Sequence, residues 1–193
     1  MTNREKYILS IYEELSDMGK HENVKLVKNT VNDGIYIKKT LKNYNIEIYK
    51  ILKNRQIKGI PKVYEIIEDE KELIIIEEYI HGQTLDKKYN KTDVETVKKI
   101  MEQLCNILKQ LHNMNPPIIH RDIKPTNIMV SNDDVVYLVD FNISREYDEK
   151  QSVDTVIMGT QGYASPEQCG FAQTDCRSDI YSIGMLMKNI LML

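Results

Sequence analysis

The spacing of hydrophobic positions changes twice along this chain, first from strand-like to helical and later into short apolar runs. Val24-Lys25-Leu26-Val27 and Ile35-Tyr36-Ile37-Lys38 flank Asn32-Asp33-Gly34, which predicts two strands around a turn over residues 24–40. Residues 41–53 carry Leu41, Ile48, Ile51 and Leu52 at roughly helical spacing. Residues 62–67 and 73–79 predict another hairpin, whose second strand is a continuous apolar run. The first 80 residues are therefore expected to be strand-rich with one helix. After a break at His81-Gly82-Gln83, Thr92-Asp93 supplies a cap for a long helix running to about residue 114. Its Val94, Val97, Met101, Leu104, Leu108 and Leu111 alternate steps of three and four and so share one face. A coiled coil gives the same spacing, but the run is short for one, and a helix on the chain's own core is the expectation. Pro116-Pro117 ends it. The apolar run at 180–193 contains Lys188 and Asn189, is too short to span a bilayer, and reads as a buried helix.

Composition narrows the picture only slightly. With 193 residues, 41% apolar and 28% charged, the chain suits one sizeable core or two small lobes rather than disorder. A net charge of −3 gives no bulk reason to expect nucleic-acid binding. Cys105, Cys169 and Cys176 form no CxxC pair and no zinc pattern, so free thiols in a reducing cytoplasm are expected. The first ten residues lack the apolar core of a signal peptide.

Chemistry concentrates in two places. His120-Arg121-Asp122-Ile123-Lys124-Pro125-Thr126-Asn127 sets a carboxylate, an ammonium and an amide at fixed offsets around a turn-forming proline. Val135-Val136-Tyr137-Leu138-Val139 ends in Asp140-Phe141-Asn142. Together these pieces resemble the catalytic loop and metal loop of a eukaryotic-type (Hanks-type) serine/threonine protein kinase. The HxDxxxxN spacing also occurs in aminoglycoside and choline kinases. Gly159-Thr160-Gln161-Gly162-Tyr163-Ala164-Ser165-Pro166-Glu167 resembles the end of a protein-kinase activation segment, which those small-molecule enzymes lack.

The resemblance implies a role for each matching residue. Asp122 would orient the acceptor hydroxyl as catalytic base, being a carboxylate that stays ionised at neutral pH. Lys124 would offset charge on the γ-phosphate, and its offset from Asp122 resembles the serine/threonine class. Asn127 and Asp140 would hold Mg2+ bridging the phosphates of ATP. Asn142 stands where the family usually has glycine, and asparagine tolerates positive φ better than most residues. Thr160 would touch Asp122 and Lys124 and help seat the acceptor. Arg121 could pair with a phosphate on Ser152 or Thr155.

In the first 80 residues, Ile35-Tyr36-Ile37-Lys38 resembles the strand that presents the phosphate lysine, making Lys38 that residue. Glu47 is its implied ion-pair partner on the following helix. The phosphate-covering loop matches least: Asp17-Met18-Gly19-Lys20-His21-Glu22-Asn23-Val24 keeps the middle glycine, Gly19, and the valine, Val24. Two carboxylates at its outer positions would repel nucleotide phosphate if they pointed inward. Glu78-Tyr79-Ile80 looks like the hinge, with Glu78 and Ile80 bonding adenine through their backbone. Glu77, just before it, is an unusual polar residue at the back of the pocket.

Asp179-Ile180-Tyr181-Ser182-Ile183-Gly184 resembles the start of the family's central helix, whose aspartate bonds the catalytic-loop backbone. The expected fold is α+β, protein-kinase-like and bilobal. A β-rich N-lobe (1–80) would join a helical C-lobe (81–193) that lacks its last helices. Glu167 would lack the arginine that pairs with it in the family. Ile183, Leu186, Met187, Ile190 and Leu191 would stay partly uncovered, a patch promoting self-association or instability. The leading expectation is an ATP- and Mg2+-dependent kinase acting on Ser/Thr of a protein substrate, with no nucleic acid partner and no membrane segment. The rivals are a truncated inactive module that binds nucleotide or a partner, and a small-molecule phosphotransferase.

Overall fold

The alternation at 24–40 and the apolar run at 73–76 build one antiparallel sheet. In the computed structural model, residues 1–18, 23–88, 93–148, 158–170 and 172–192 are described. They fall into two units, residues 1–56 with 61–80, and residues 57–60 with 81–193. The first unit contains α1 (Asn3–Ser10), β1 (Tyr12–Asp17), β2 (Val24–Asn29), β3 (Ile35–Leu41), α2 (Ile46–Arg55), β4 (Val63–Asp69) and β5 (Glu72–Glu78). Sheet order is β1-β2-β3-β5-β4, with every pair antiparallel. Leu73, Ile75 and Ile76 of β5 are fully buried, as suits a strand flanked by neighbours and covered on both faces.

Two differences from the sequence-based expectation have local causes. Leu41 is not the start of a helix: it ends β3 and is buried there, and α2 begins at Ile46 behind an Asn45 cap. Helix α1 was not anticipated, because it buries no side chain and so shows no apolar stripe. It is set instead by a capping box, in which Thr2 and Glu5 bond each other's backbone N–H groups.

The second unit contains β6 (Gly82–Thr84), α3 (Leu85–Lys88), α4 (Val94–His112), β7 (Ile118–Ile119), β8 (Ile128–Ser131), β9 (Val136–Leu138), β10 (Arg145–Glu146) and α5 (Cys176–Met192). Asp93 caps α4 by accepting from Thr96 N–H, while Thr92 lies outside the described residues. The apolar face expected of α4 is its buried face from Val97 to Leu111, but Val94 points to solvent at 73% exposure. The turn at residues 57–60 meets α4 at Gly59, whose φ of +85° suits glycine. A Cβ there would stand 2.5 Å from Ile107 Cγ1.

On α5, Ile183, Leu186 and Ile190 are buried, although a stripe that includes them was expected to stay partly uncovered. The helix packs on α4 and β7, which takes up that stripe. Met187 and Leu191 remain 45% exposed, beside Ile180 and Tyr181. Among the described residues, no helix is long and apolar enough to cross a membrane.

Candidate active site

The loop between β7 and β8 is held from beneath by one carboxylate. Asp179, fully buried in the first turn of α5, accepts from His120 N–H at 2.9 Å and Arg121 N–H at 2.8 Å. His112 Nε2 of α4 lies 2.8 Å from the same side chain. These bonds fix the chain on entering the loop, where Arg121 takes a φ of +70°. His120 is fully buried, its Nδ1 accepts from Asp122 N–H, and its Nε2 therefore donates to Val139 O. Burial pushes the imidazole below its ordinary value and outweighs the nearby Asp179, Asp140 and Asp122 charges, so the ring is neutral.

Asp122 is the hub of the loop. Its Oδ1 accepts from the Thr160 hydroxyl at 2.7 Å. Its Oδ2 lies 2.8 Å from Lys124 Nζ and accepts from Asn127 Nδ2 at 2.8 Å. Lys124 Nζ also donates to Thr160 Oγ at 2.9 Å, closing a three-membered ring of contacts. The 3-10 turn Pro125–Asn127 brings Asn127 back, and the same amide donates to Asp122 O at 2.9 Å.

Asp140 reaches this loop through the β8–β9 ladder. Beyond the pair Ile128↔Leu138, Val139 N–H donates to Asn127 O at 2.9 Å, so the two strand ends run side by side. Asp140 takes a φ of +68°, which turns its carboxylate out of the strand. Asn142, for which positive φ was the concern, does not have it; the turn is made at Asp140 instead.

The segment from Gly159 is locked by Gln168. Its buried amide donates to Arg121 O at 2.7 Å and Met158 O at 3.0 Å, and its oxygen accepts from Ser165 N–H at 3.1 Å. Glu167, expected to lack an arginine, accepts instead from Ser178 Oγ at 2.6 Å. Nothing in the sequence reading pointed to Gln168, since a lone amide carries no pattern. Ser152 and Thr155 lie outside the described residues.

In the first unit the expected pair does not form. Lys38 Nζ lies 2.9 Å from Glu14, which also binds Lys25 at 2.6 Å. Hydrogen bonds from Lys25 and Lys38 hold the Glu14 carboxyl below its usual range. Glu47 is exposed and pairs with Lys50 at 2.7 Å. The adjacent lysine is the inward one: Lys39 Nζ lies 2.6 Å from Glu77 Oε1, and these side chains are only 11% and 10% exposed. The signal was present in the sequence, because Ile35, Ile37 and Leu41 alternate and place position 39 on their face. Counting from the motif instead of from this alternation selects Lys38, on the opposite face.

The other expected nucleotide residues fall as follows. Val24 opens β2 opposite Lys39. Glu78 N–H donates to Lys62 O at 2.8 Å, and Ile80 is buried. Gly19 lies outside the described residues.

The residues fit a hard divalent cation in one respect. Asp140 Oδ1 is buried and has no hydrogen-bond partner among the described residues, a costly state for a carboxylate oxygen unless something positive meets it. Among the described residues no group of three or more His, Cys, Asp or Glu could hold a metal, so ligation here would rest on Asn127, Asp140 and non-protein oxygens. That donor set suits Mg2+, which keeps waters and phosphate oxygens.

Comparison with known proteins shows the family. The protein kinase domain family matches residues 13–192, and the chain belongs to that family. It is 36% identical over 131 residues to a probable serine/threonine-protein kinase of Clostridium acetobutylicum, covering 67% of this chain and 20% of that protein. It is 39% identical over 123 residues to the probable serine/threonine-protein kinase PknB of Bifidobacterium longum, covering 61% and 18%. Serine/threonine-protein kinase A of Synechocystis sp. is 36% identical over 137 residues, covering 64% and 26%. The matches thus span about a quarter or less of these relatives. The strand-rich first unit and helical second unit are the two lobes of a bilobal protein-kinase fold.

Proposed function

We propose that this chain transfers the γ-phosphate of ATP to a serine or threonine hydroxyl of a protein substrate. The observation that carries this reading is the closed contact of Asp122, Lys124 and Thr160, together with the buried Oδ1 of Asp140, which has no hydrogen-bond partner among the described residues. Asp122 orients the acceptor hydroxyl and takes its proton, a role suited to a carboxylate already aimed by Asn127 and Thr160. Lys124 sits against the same carboxylate and balances charge on the phosphoryl group as it moves. Asn127 and Asp140 would hold Mg2+, which when bound neutralises and aligns the phosphates. Lys39, not Lys38, is the phosphate ammonium of the first unit, because Lys38 lies on the opposite face with Glu14. Thr160 favours a protein acceptor, as it belongs to the segment that small-molecule phosphotransferases lack.

The test is labelled ATP with Mg2+ and a generic protein acceptor. Asp122→Asn keeps the shape of the side chain and removes the base, so transfer should fall on the order of 10²–10⁴-fold. Transfer that survives this change undiminished, or a product labelled on a small molecule instead, would overturn the reading.

A further inference from the structure

We propose that Glu77 is the positioning residue for Lys39, holding the phosphate ammonium from within the sheet rather than from helix α2. This rests on the kinase reading above and adds to it the residue that sets the lysine. In the β3–β5 ladder, Ile37 stands opposite Glu77 and Lys39 opposite Ile75. Lys39 and Glu77 are therefore diagonal neighbours on one face, within reach of two long side chains. Their contact is 2.6 Å, with side chains 11% and 10% exposed. Glu47 on α2 is 59% exposed and engaged by Lys50 at 2.7 Å.

The two arrangements differ physically. A lysine has a flexible four-carbon stem and no preferred direction of its own, so a partner must aim it. Glu77 sits on a strand whose neighbours Ile75 and Ile76 are fully buried, and the next residue, Glu78, is tied to Lys62 O at 2.8 Å. A carboxylate fixed in this way aims Lys39 without any movement of α2. An ammonium has three N–H donors, so one carboxylate oxygen orients it without exhausting it.

The first measurement needs no turnover. Nucleotide-free full chain is acylated with N-acetoxysuccinimide, and labelling of Lys39 is read by peptide mass spectrometry with Lys25 as reference. Glu77→Gln should raise Lys39 labelling about tenfold, the loss of one charged hydrogen bond. Glu47→Gln should leave it unchanged. The second measurement is steady-state kinetics, where Glu77→Gln should raise KM for Mg–ATP about tenfold and leave KM for the acceptor protein alone. Glu77→Asp keeps the charge on a shorter stem and should fall between the two; it serves also if the Gln variant does not fold.

Labelling that responds to Glu47→Gln and not to Glu77→Gln would overturn the proposal. So would tighter Mg–ATP binding in Glu77→Gln, since Glu77 would then be a competitor of phosphate. An active wild type with these results leaves the kinase reading standing and removes only the role of Glu77. Wild-type protein that shields Lys39 through Glu77 yet neither binds nor turns over Mg–ATP removes the kinase reading, and the positioning role falls with it.

Discussion

Lys124 and Asp122 meet within one loop, whereas Lys39 and Glu77 meet across a sheet. The loop pair is 2.8 Å apart and sits on the buried Asp179, which ties down the backbone at His120 and Arg121. The sheet pair is 2.6 Å apart, and strand register brings its two residues onto one face. A slip of one residue in β3 would exchange Lys39 for Lys38 and turn the charge to the opposite face. The difference teaches that a carboxylate and a lysine two residues apart carry most of their geometry locally. A lysine on a strand carries none until its neighbours are known.

The comparison is broken most directly by removing the clamp. Asp179→Leu leaves two backbone N–H groups and His112 facing an apolar side chain in a fully buried place. It should cost about 3–5 kcal/mol in urea unfolding. Any folded fraction should lose phosphoryl transfer while Lys39 stays as protected from acylation as before. A loss below about 1 kcal/mol would mean that the loop holds itself.

The two adjacent lysines sharpen the other side. Lys39→Met strands the nearly buried Glu77 and should cost about 3 kcal/mol. Lys38→Met releases only Glu14, which is 43% exposed and keeps Lys25, and should cost less than about 1 kcal/mol. Equal losses in the two variants would erase the distinction between the faces.

Gln168→Leu tests how far the loop pair depends on the segment that delivers Thr160. The change to a shorter apolar side chain leaves Arg121 O, Met158 O and Ser165 N–H without their partner and should cost about 1–3 kcal/mol by thermal melting. A variant as stable and as active as wild type would show that Thr160 seats itself.

The smallest effect is a pH dependence. Burial lowers the His120 value, so the unfolded chain takes up this proton near pH 6.5 and the folded chain does so only at lower pH. Stability is therefore full above about pH 6.5 and declines as pH falls from there toward the lowered folded value. Comparing wild type with His120→Gln isolates this contribution from that of the carboxylates. Parallel stability curves for the two proteins below about pH 6.5 would show that His120 is not the group responsible.

Several features are legible in the order of residues alone. The long amphipathic helix, the second hairpin and the loop from His120 to Asn127 follow from periodicity and from residues whose chemistry is set by neighbours a few positions away. Helix α1 and strand β1 escaped, because α1 is stabilised by Thr2 and Glu5 at its end and buries nothing. Ile183, Leu186 and Ile190 of the α5 stripe were misjudged because their cover comes from α4 and β7, earlier in the chain.

By itself, then, the order of residues determined the strand-rich and helical halves and the local chemistry around Asp122. The tertiary structure decided which of two neighbouring lysines faces inward, that Glu77 and not Glu47 meets it, and that Gln168 joins the segment at Met158 to the loop at Arg121. The reason is the range of the forces involved. Turns and caps act over three or four residues, while register and buried polar contacts are settled only when distant strands and helices pack.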